Sequence, residues 1–88
     1  MSIKLKLQSV LSYYTNNQQL SKVNGKTVGE CLDHLTKRYP DLKRVMYDKD
    51  GKIARIIGVY INGEYAYSDE LSKPVKDGDE LSIILSTG

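Results

Sequence analysis

Residues 71–88, LSKPVKDGDELSIILSTG, are the stretch that decides the fold. A turn around Gly78 leads into an apolar run over 81–85, and a short tail (86–88) follows that run. Aspartate and glycine are frequent in turns because they tolerate left-handed backbone conformations. The pattern therefore predicts a last strand that launches a short tail, and this tail ends in Gly88.

Length, charge and cysteine content limit the classes of function. The chain has 88 residues and a formal net charge of +2, which predicts one domain over 1–88. Its basic residues are dispersed along the sequence, so we expect no nucleic-acid partner. Cys31 is the only cysteine, which excludes an internal disulfide, and one thiol with one histidine does not make a metal site. No signal peptide or membrane span is apparent, which predicts a cytoplasmic protein without a membrane partner.

Alternating apolar residues predict the strands. Ile3, Leu5 and Leu7 alternate with lysines, which is the two-residue period of a half-buried strand. Residues 8–17 are less regular and are expected to fold over the core as a loop, while Asn62-Gly63 is a hairpin signal. The predicted strands cover residues 3–7, 18–23, 53–61, 64–67 and 81–85, and the third of these is expected to be the longest.

One helix is predicted between the second and third strands. Thr27-Val-Gly-Glu30 fits a capping box, in which the Thr hydroxyl and the Glu carboxylate each accept from a backbone N–H of the other residue. The helix is expected over 28–39, since Pro40 bars its continuation. Asp41 is expected to cap a further turn that packs on the core.

The order of these elements predicts an α+β domain of two layers. The helix covers one face of the sheet, and the first and last strands pair at its centre. The opposite face is expected to contain Ile56, Gly58, Tyr60 and Ile84, and of these Ile56 and Ile84 are apolar where the pattern predicts solvent exposure. Such a patch is either a protein-docking surface or a set of ordinary scattered surface residues, and the pattern favours neither reading.

Other chemistry finds little support in the sequence. Cys31 lies on the buried stripe of the helix, which favours a core role over a reactive thiol. His34 lies off that stripe and is expected at the surface in contact with Glu30. No acid–base pair, metal cluster or phosphate-binding loop is apparent. The chain is therefore interpreted as a carrier or binding module rather than an enzyme.

Three stretches resemble the ubiquitin-like β-grasp sulfur carriers, which include the small subunit of molybdopterin synthase and the thiamine sulfur carrier. They are Val59–Gly63, Leu71–Ile84 with its Asp-Gly-Asp-Glu turn, and Val28–Pro40. The resemblance implies a ubiquitin-like β-grasp fold, with a mixed sheet of four to five strands and one main helix on one face. The long connection over 41–52 favours the molybdopterin or cysteine-synthesis branch of the family.

The resemblance also implies a function. In that family an ATP-dependent activating enzyme adenylates the C-terminal glycine carboxylate, which becomes a thiocarboxylate and passes sulfur to an acceptor such as the large subunit of molybdopterin synthase. This makes Gly88 the reactive residue. No metal and no permanently bound cofactor are implied, because ATP is used by the activating partner. The expected partner-binding residues are Ile56, Tyr60, Ile84, Ser86 and Thr87.

The C terminus departs from the family at one position. The family usually ends in Gly-Gly, whereas this sequence ends in Ser86-Thr87-Gly88, and the β-branched Thr87 restricts the backbone. Three explanations stay open: a variant whose activating enzyme accepts threonine, a shortened terminus, or a relative that has lost the chemistry. Two other functions also stay open, namely a ubiquitin-like modifier conjugated through Gly88 and a β-grasp interaction module whose tail is irrelevant.

Overall fold

The first strand, β1 (Ser2–Leu7), shows how the sequence pattern becomes structure. Its apolar residues and its lysines alternate, and burial alternates with the same period of two. Ile3 and Leu5 are fully buried, whereas Lys4 and Lys6 are exposed. One face of β1 therefore packs on the core while the other faces solvent.

The structure is a computed structural model that describes residues 2–66 and 69–86. In this part of the chain, two 3₁₀ helices, Leu11–Thr15 and Glu70–Ser72, lie in connections between the regular elements. The elements that follow β1 are β2 (Leu20–Asn24), α1 (Val28–Arg38), α2 (Pro40–Met46), β3 (Ile57–Ile61), β4 (Glu64–Tyr65) and β5 (Glu80–Leu85).

The five strands form one mixed sheet in the order β2-β1-β5-β3-β4. β1 and β5 are parallel, with Leu5 opposite Leu81, and the other neighbouring pairs are antiparallel. The predicted central pairing of the first and last strands is confirmed. Because β5 has a neighbour on each side, the strand that leads to the tail lies inside the sheet and not at its edge.

The start of α1 confirms half of the predicted capping box. The Thr27 hydroxyl accepts a hydrogen bond from the Glu30 amide at 3.1 Å. The Glu30 carboxylate, however, accepts from the Lys26 amide at 2.9 Å rather than from that of Thr27. Both side chains still satisfy backbone donors at the helix N-terminus, which is the physical purpose of such a cap.

A second helix takes the place of the predicted extra turn. Pro40 ends α1 and is the first residue of α2, a position where its missing N–H leaves no hydrogen bond unmade. Leu42 and Met46 of α2 are fully buried. Both helices thus contribute to the core, which the sheet closes from the other side. Among the residues that the structure describes, the fully buried apolar core residues are Ile3, Leu5, Leu11, Val23, Val28, Cys31, Leu32, Leu35, Leu42, Met46, Val59, Leu81 and Ile83.

The predicted strand over 53–61 is wrong in its first half. Ile53 forms an isolated bridge with Tyr47, and the Ala54 amide donates to the Met46 carbonyl at 2.8 Å. These bonds hold the start of the segment at the end of α2. β3 begins only afterwards, and it is shorter than β1 and β5.

The segment 8–17 is also more regular than predicted. Leu11 is buried and Tyr14 packs against the core, as expected for a segment that folds over it. The conformation between them is a 3₁₀ helix, in which residues three apart lie on the same side. Val10 and Tyr13 share the outward side and are exposed.

The hairpin after β3 is fixed to the turn before β5. Asn62 and Gly63 have φ values of 50° and 85°, the left-handed pair that a two-residue hairpin needs. The Asp79 carboxylate accepts from the Asn62 side-chain amide at 3.0 Å and from the Lys76 backbone amide at 2.9 Å. The side-chain oxygen of Asn62 in turn accepts from the Glu80 backbone amide at 2.9 Å. The hydrogen bond from Asn62, followed by that from Lys76, lowers the pKa of Asp79.

Candidate functional site: the end of β5 and the open sheet face

The base of the C-terminal tail is held from two sides. The Leu85 amide donates a hydrogen bond to the side-chain oxygen of Gln8 at 2.6 Å. The next amide, that of Ser86, donates to the backbone carbonyl of Ile56. The sheet therefore remains hydrogen-bonded through Ser86. Thr87 and Gly88, the expected partner contact and reactive residue, lie outside the described residues.

A patch of apolar and aromatic residues lies on the face of the sheet away from the helices. Gly58 is opposite Ile84, and Tyr60 is opposite both Ser82 and Tyr65. The rings of Tyr60 and Tyr65 have centroids 5.3 Å apart, within the usual range for packed aromatic pairs. We call Gly58, Tyr60, Tyr65 and Ile84 the Ile84 patch.

Gly58 shapes this patch by the side chain it lacks. A Cβ at this position would lie 3.1 Å from Cγ1 of Ile84 and 3.6 Å from Cε1 of Tyr60. The first distance is shorter than an ordinary van der Waals contact between carbon atoms. Glycine thus lets the Ile84 side chain lie against the backbone of β3.

The structure brings together two of the three face residues predicted from the sequence. Tyr60 and Ile84 lie in the patch, whereas Ile56 precedes β3 and joins the site through its backbone carbonyl, with a side chain that is 51% exposed. Sequence reasoning missed Tyr65, which is 54% exposed. The available signal was the Asn-Gly turn, since a two-residue hairpin places residue 65 directly across from residue 60.

Three lysines lie beside the Ile84 patch on the same open face. Lys4 is directly opposite Lys22 on β2, and Lys6 is two residues further along β1. All three are exposed. Like charges directly opposite each other destabilise a sheet slightly. Lys4 is also opposite Glu80 of β5, and three lysines against this one carboxylate leave this half of the face net positive. In the sequence these residues appear dispersed, but the strand pairing brings them together.

The thiol and the imidazole of α1 have structural surroundings. Cys31 is fully buried, and burial, with a smaller contribution from Glu30, raises the pKa of its thiol. His34 is half-buried, and its Nδ1 accepts a hydrogen bond from the backbone amide of Asn24 at 2.9 Å. This bond joins α1 to β2. Its Nε2 lies 3.2 Å from Arg38 Nη2. The structure thus gives His34 these contacts and not the predicted one with Glu30.

Within residues 2–66 and 69–86, no group of three or more His, Cys, Asp or Glu side chains could hold a metal ion. No helix in this part of the chain is long and apolar enough to cross a membrane. An open groove of about 900 Å³ lies over the helix layer and includes no residue of the Ile84 patch. Residues that line it include Glu30, Asp33, Lys43, Arg44 and Tyr47.

Comparison with known proteins agrees with this architecture. Residues 11–86 match the model of the ThiS family. A chain in the crystal structure of the Amycolatopsis orientalis BexX/CysO complex is 30% identical, with 98% of this chain and 97% of that chain covered and a TM-score of 0.87. SAMP1 from Haloferax volcanii is 29% identical, with coverage of 100% and 99% and a TM-score of 0.86. CysO from Mycobacterium tuberculosis is 24% identical, with coverage of 96% and 98% and a TM-score of 0.86.

No curated protein matches the chain. The family match spans most of the sequence, and it includes both the Asn62–Asp79 connection and the strand that leads to the tail. The structural neighbours cover nearly the whole chain and share its mixed sheet with helices on one face. The chain therefore belongs to the ThiS family of ubiquitin-like β-grasp sulfur carriers and modifiers.

Proposed function

We propose that the chain carries sulfur as a thiocarboxylate on the carboxyl group of Gly88, after an ATP-dependent partner has adenylated that group. The observation that carries the proposal is the match of residues 11–86 to the ThiS family. Its geometry rests on the hydrogen bond from the Ser86 amide to the Ile56 carbonyl. It keeps the sheet paired to within two residues of Gly88, and two extended residues span at most about 7 Å. The body of the carrier must therefore dock close to the active site that receives its tail.

The Ile84 patch supplies a surface for such docking. Ile84 belongs to the strand that leads to the tail, and Tyr60 and Tyr65 extend the patch away from β5. Aromatic and apolar residues are enriched at the centres of protein interfaces. The exposed residues Lys4, Lys6 and Lys22 lie beside it, and their charge favours a partner with an acidic rim around an apolar centre.

The chemistry begins with a poor electrophile, since a carboxylate resists nucleophilic attack. A carboxylate oxygen of Gly88 attacks the α-phosphorus of ATP, so that a C–O–P linkage forms and pyrophosphate leaves. A hydrosulfide ion then attacks the acyl carbon, the C–S bond forms, the C–O bond to the phosphate breaks and AMP leaves. The resulting thiocarboxylic acid loses its proton to give the thiocarboxylate.

Two partners follow from this scheme, an activating enzyme and a sulfur acceptor. The Amycolatopsis relative was crystallised in a complex of BexX and CysO, which supports a role for this chain in complexes with other proteins. The acceptor is proposed to be an enzyme of molybdopterin-type cofactor synthesis or of cysteine synthesis, such as the large subunit of a molybdopterin synthase. ATP belongs to the activating partner and is not bound permanently by the carrier.

Intact-mass measurement tests the proposal directly. The protein is incubated with ATP, sulfide and an activating enzyme of a ThiS-family carrier. We expect a mass increase equal to the difference between sulfur and oxygen. Deletion of Gly88 should abolish the increase. The matched control Cys31→Ala should retain it, because Cys31 is buried and burial raises the pKa of its thiol. Absence of both adenylate and thiocarboxylate from the wild-type protein would overturn the proposal.

A second candidate is a ubiquitin-like modifier joined to target lysines through Gly88. The observation that favours it is the 29% identity to SAMP1 of Haloferax volcanii, which is described as a small archaeal modifier protein. It predicts conjugates in cells that disappear when Gly88 is deleted. An interaction module without tail chemistry instead predicts that partner binding survives removal of residues 86–88.

A further inference from the structure

The side chain of Gln8 takes the place of a backbone group in the central ladder of the sheet. Lys4 and Leu7 of β1 are paired with Glu80 and Ile83 of β5, and this register brings residue 8 next to Ile84. In a parallel ladder a residue donates to the carbonyl before its partner and accepts from the amide after it. The backbone amide of Gln8 makes the first of these bonds, to the Ile83 carbonyl at 3.0 Å.

The backbone carbonyl of Gln8 cannot make the second bond, to the Leu85 amide, because it accepts from the backbone amides of Leu11 and Ser12 at 2.8 and 3.2 Å. The chain turns away from the sheet here and enters the 3₁₀ helix. The side-chain oxygen of Gln8 accepts from the Leu85 amide instead, at 2.6 Å. A side-chain amide therefore extends the β1–β5 ladder one step past the end of β1.

We propose that Gln8 is a positioning residue that holds the base of the tail for entry into the active site of the activating enzyme. The inference rests on the proposed adenylation of Gly88. On one side of β5, Gln8 holds the Leu85 amide, and on the other the Ile56 carbonyl holds the Ser86 amide. Without the Gln8 side chain, the end of β5 is hydrogen-bonded only on the β3 side. The direction in which the chain leaves the sheet is then less fixed.

The chemistry of residue 8 determines which substitutions are informative. Leucine has a similar size but no acceptor, so Gln8→Leu removes the hydrogen bond. Glutamate retains a carboxylate oxygen at the same reach, so Gln8→Glu preserves an acceptor for the Leu85 amide. Gln8→Asn shortens the side chain by one methylene and so moves the acceptor oxygen away from the Leu85 amide. Gln19→Leu is the matched control, because Gln19 is exposed and its contact with Leu7 uses the backbone carbonyl, which leucine retains.

Amide hydrogen exchange is the first measurement, and it does not depend on sulfur chemistry. In Gln8→Leu we expect the Leu85 amide to exchange roughly tenfold faster, with core amides such as that of Val59 unchanged. Gln8→Glu should restore slow exchange, and Gln19→Leu should match the wild type. Unchanged exchange at Leu85 in Gln8→Leu would overturn the inference.

Pyrophosphate release with the activating enzyme is the second measurement. In Gln8→Leu we expect kcat for adenylation to fall roughly three- to tenfold through misplacement of the tail. The Kd for the enzyme should be unchanged, since the Ile84 patch is intact. A kcat equal to that of the wild type would refute the positioning role. If the wild-type protein itself is not adenylated, the proposed function fails, and exchange at Leu85 still decides whether Gln8 holds the tail.

Discussion

The carboxylate of Asp79 accepts a hydrogen bond from the side-chain amide of Asn62 across 3.0 Å, and this contact joins two turns that are seventeen residues apart in sequence. Asn62 follows β3 and Asp79 precedes β5, so the pair fixes the ends of two neighbouring strands. Since β3 contributes Gly58 and Tyr60 to the Ile84 patch, the contact also helps to hold the register of the proposed docking surface.

Asn62→Gly should remove the side-chain hydrogen bonds of Asn62 while the backbone keeps its conformation. Glycine tolerates the φ of 50° at this position, so the hairpin can still form. Loss of the bonds to Asp79 and Glu80 should lower the free energy of unfolding by about 1–2 kcal/mol. Urea denaturation followed by circular dichroism measures this change. Stability equal to that of the wild type would show that the two turns are held without Asn62.

Acid stability should depend on Asp79. The pKa of Asp79 is lowered in the folded protein, so its stabilising contribution is complete above the unfolded-state pKa of about 3.9 and is lost as pH falls through the folded pKa. Asp79→Asn removes this titration. The wild type should therefore lose more stability than the variant between pH 5 and strongly acidic pH, each compared with itself at pH 7 by urea denaturation. Parallel pH profiles for the two proteins would contradict the assignment.

Ile84→Asp should weaken docking without unfolding the domain. Ile84 is only half-buried, and a charge at the centre of an apolar interface is expected to raise the Kd for the activating enzyme roughly thirtyfold. The matched control is Leu20→Asp, because Leu20 is an exposed apolar residue of β2 on the same face but on the far side of β1. Calorimetric titration measures both. Equal losses in the two variants would argue against a docking surface centred on Ile84.

Gly58→Ala should affect binding more than stability. Alanine suits a strand better than glycine by roughly 0.5–1 kcal/mol, which offsets the displacement of the Ile84 side chain by the new Cβ. We expect a free energy of unfolding within about 0.5 kcal/mol of the wild type and a Kd for the partner raised roughly three- to tenfold. Thermal denaturation and calorimetry, run on the same preparation, give both numbers. Wild-type affinity would mean that the position of Ile84 does not matter for docking.

Thr87→Gly should reveal whether the activating enzyme is adapted to this tail. Threonine adds bulk and restricts the backbone where Gly-Gly carriers have glycine. With an activating enzyme of a Gly-Gly carrier, the variant should be adenylated about tenfold faster than the wild type, a difference of about 1.4 kcal/mol in activation free energy. With the activating enzyme from the same source as this protein, the change in adenylation rate should be small. No gain with the Gly-Gly enzyme would show that Thr87 is not a barrier.

Local patterns in the sequence predicted most of the fold. The alternation of Ile3, Leu5 and Leu7 with lysines is a direct consequence of burial on one face, so it specified β1 and its orientation. The Thr27 cap depends on neighbouring residues only and was equally accessible. The third strand was overextended because residues 53–54 bond to the end of α2, and apolar periodicity contains no information about that distant partner.

The site was less predictable than the fold for a similar reason. Ile84 was found as an apolar residue on a face expected to be exposed, which is a local anomaly, and Tyr60 was placed on the same face by the alternation of its strand. Tyr65 required the hairpin register. Gln8 carries no pattern at all, since a single glutamine after a strand looks like any polar loop residue. Its role depends on a pairing with Leu85, which lies seventy-seven residues later in the chain.

The central place of β5 also has a mechanical meaning. A partner that draws the tail into a narrow channel pulls on β5 along the axis of the strand. Because β5 is bonded to β1 on one side and to β3 on the other, such a load shears two ladders together and does not open one bond at a time. A load applied at the end of β5 is thus transmitted through both ladders to the core of the sheet, so the proposed docking of the body and the proposed entry of the tail are mechanically coupled.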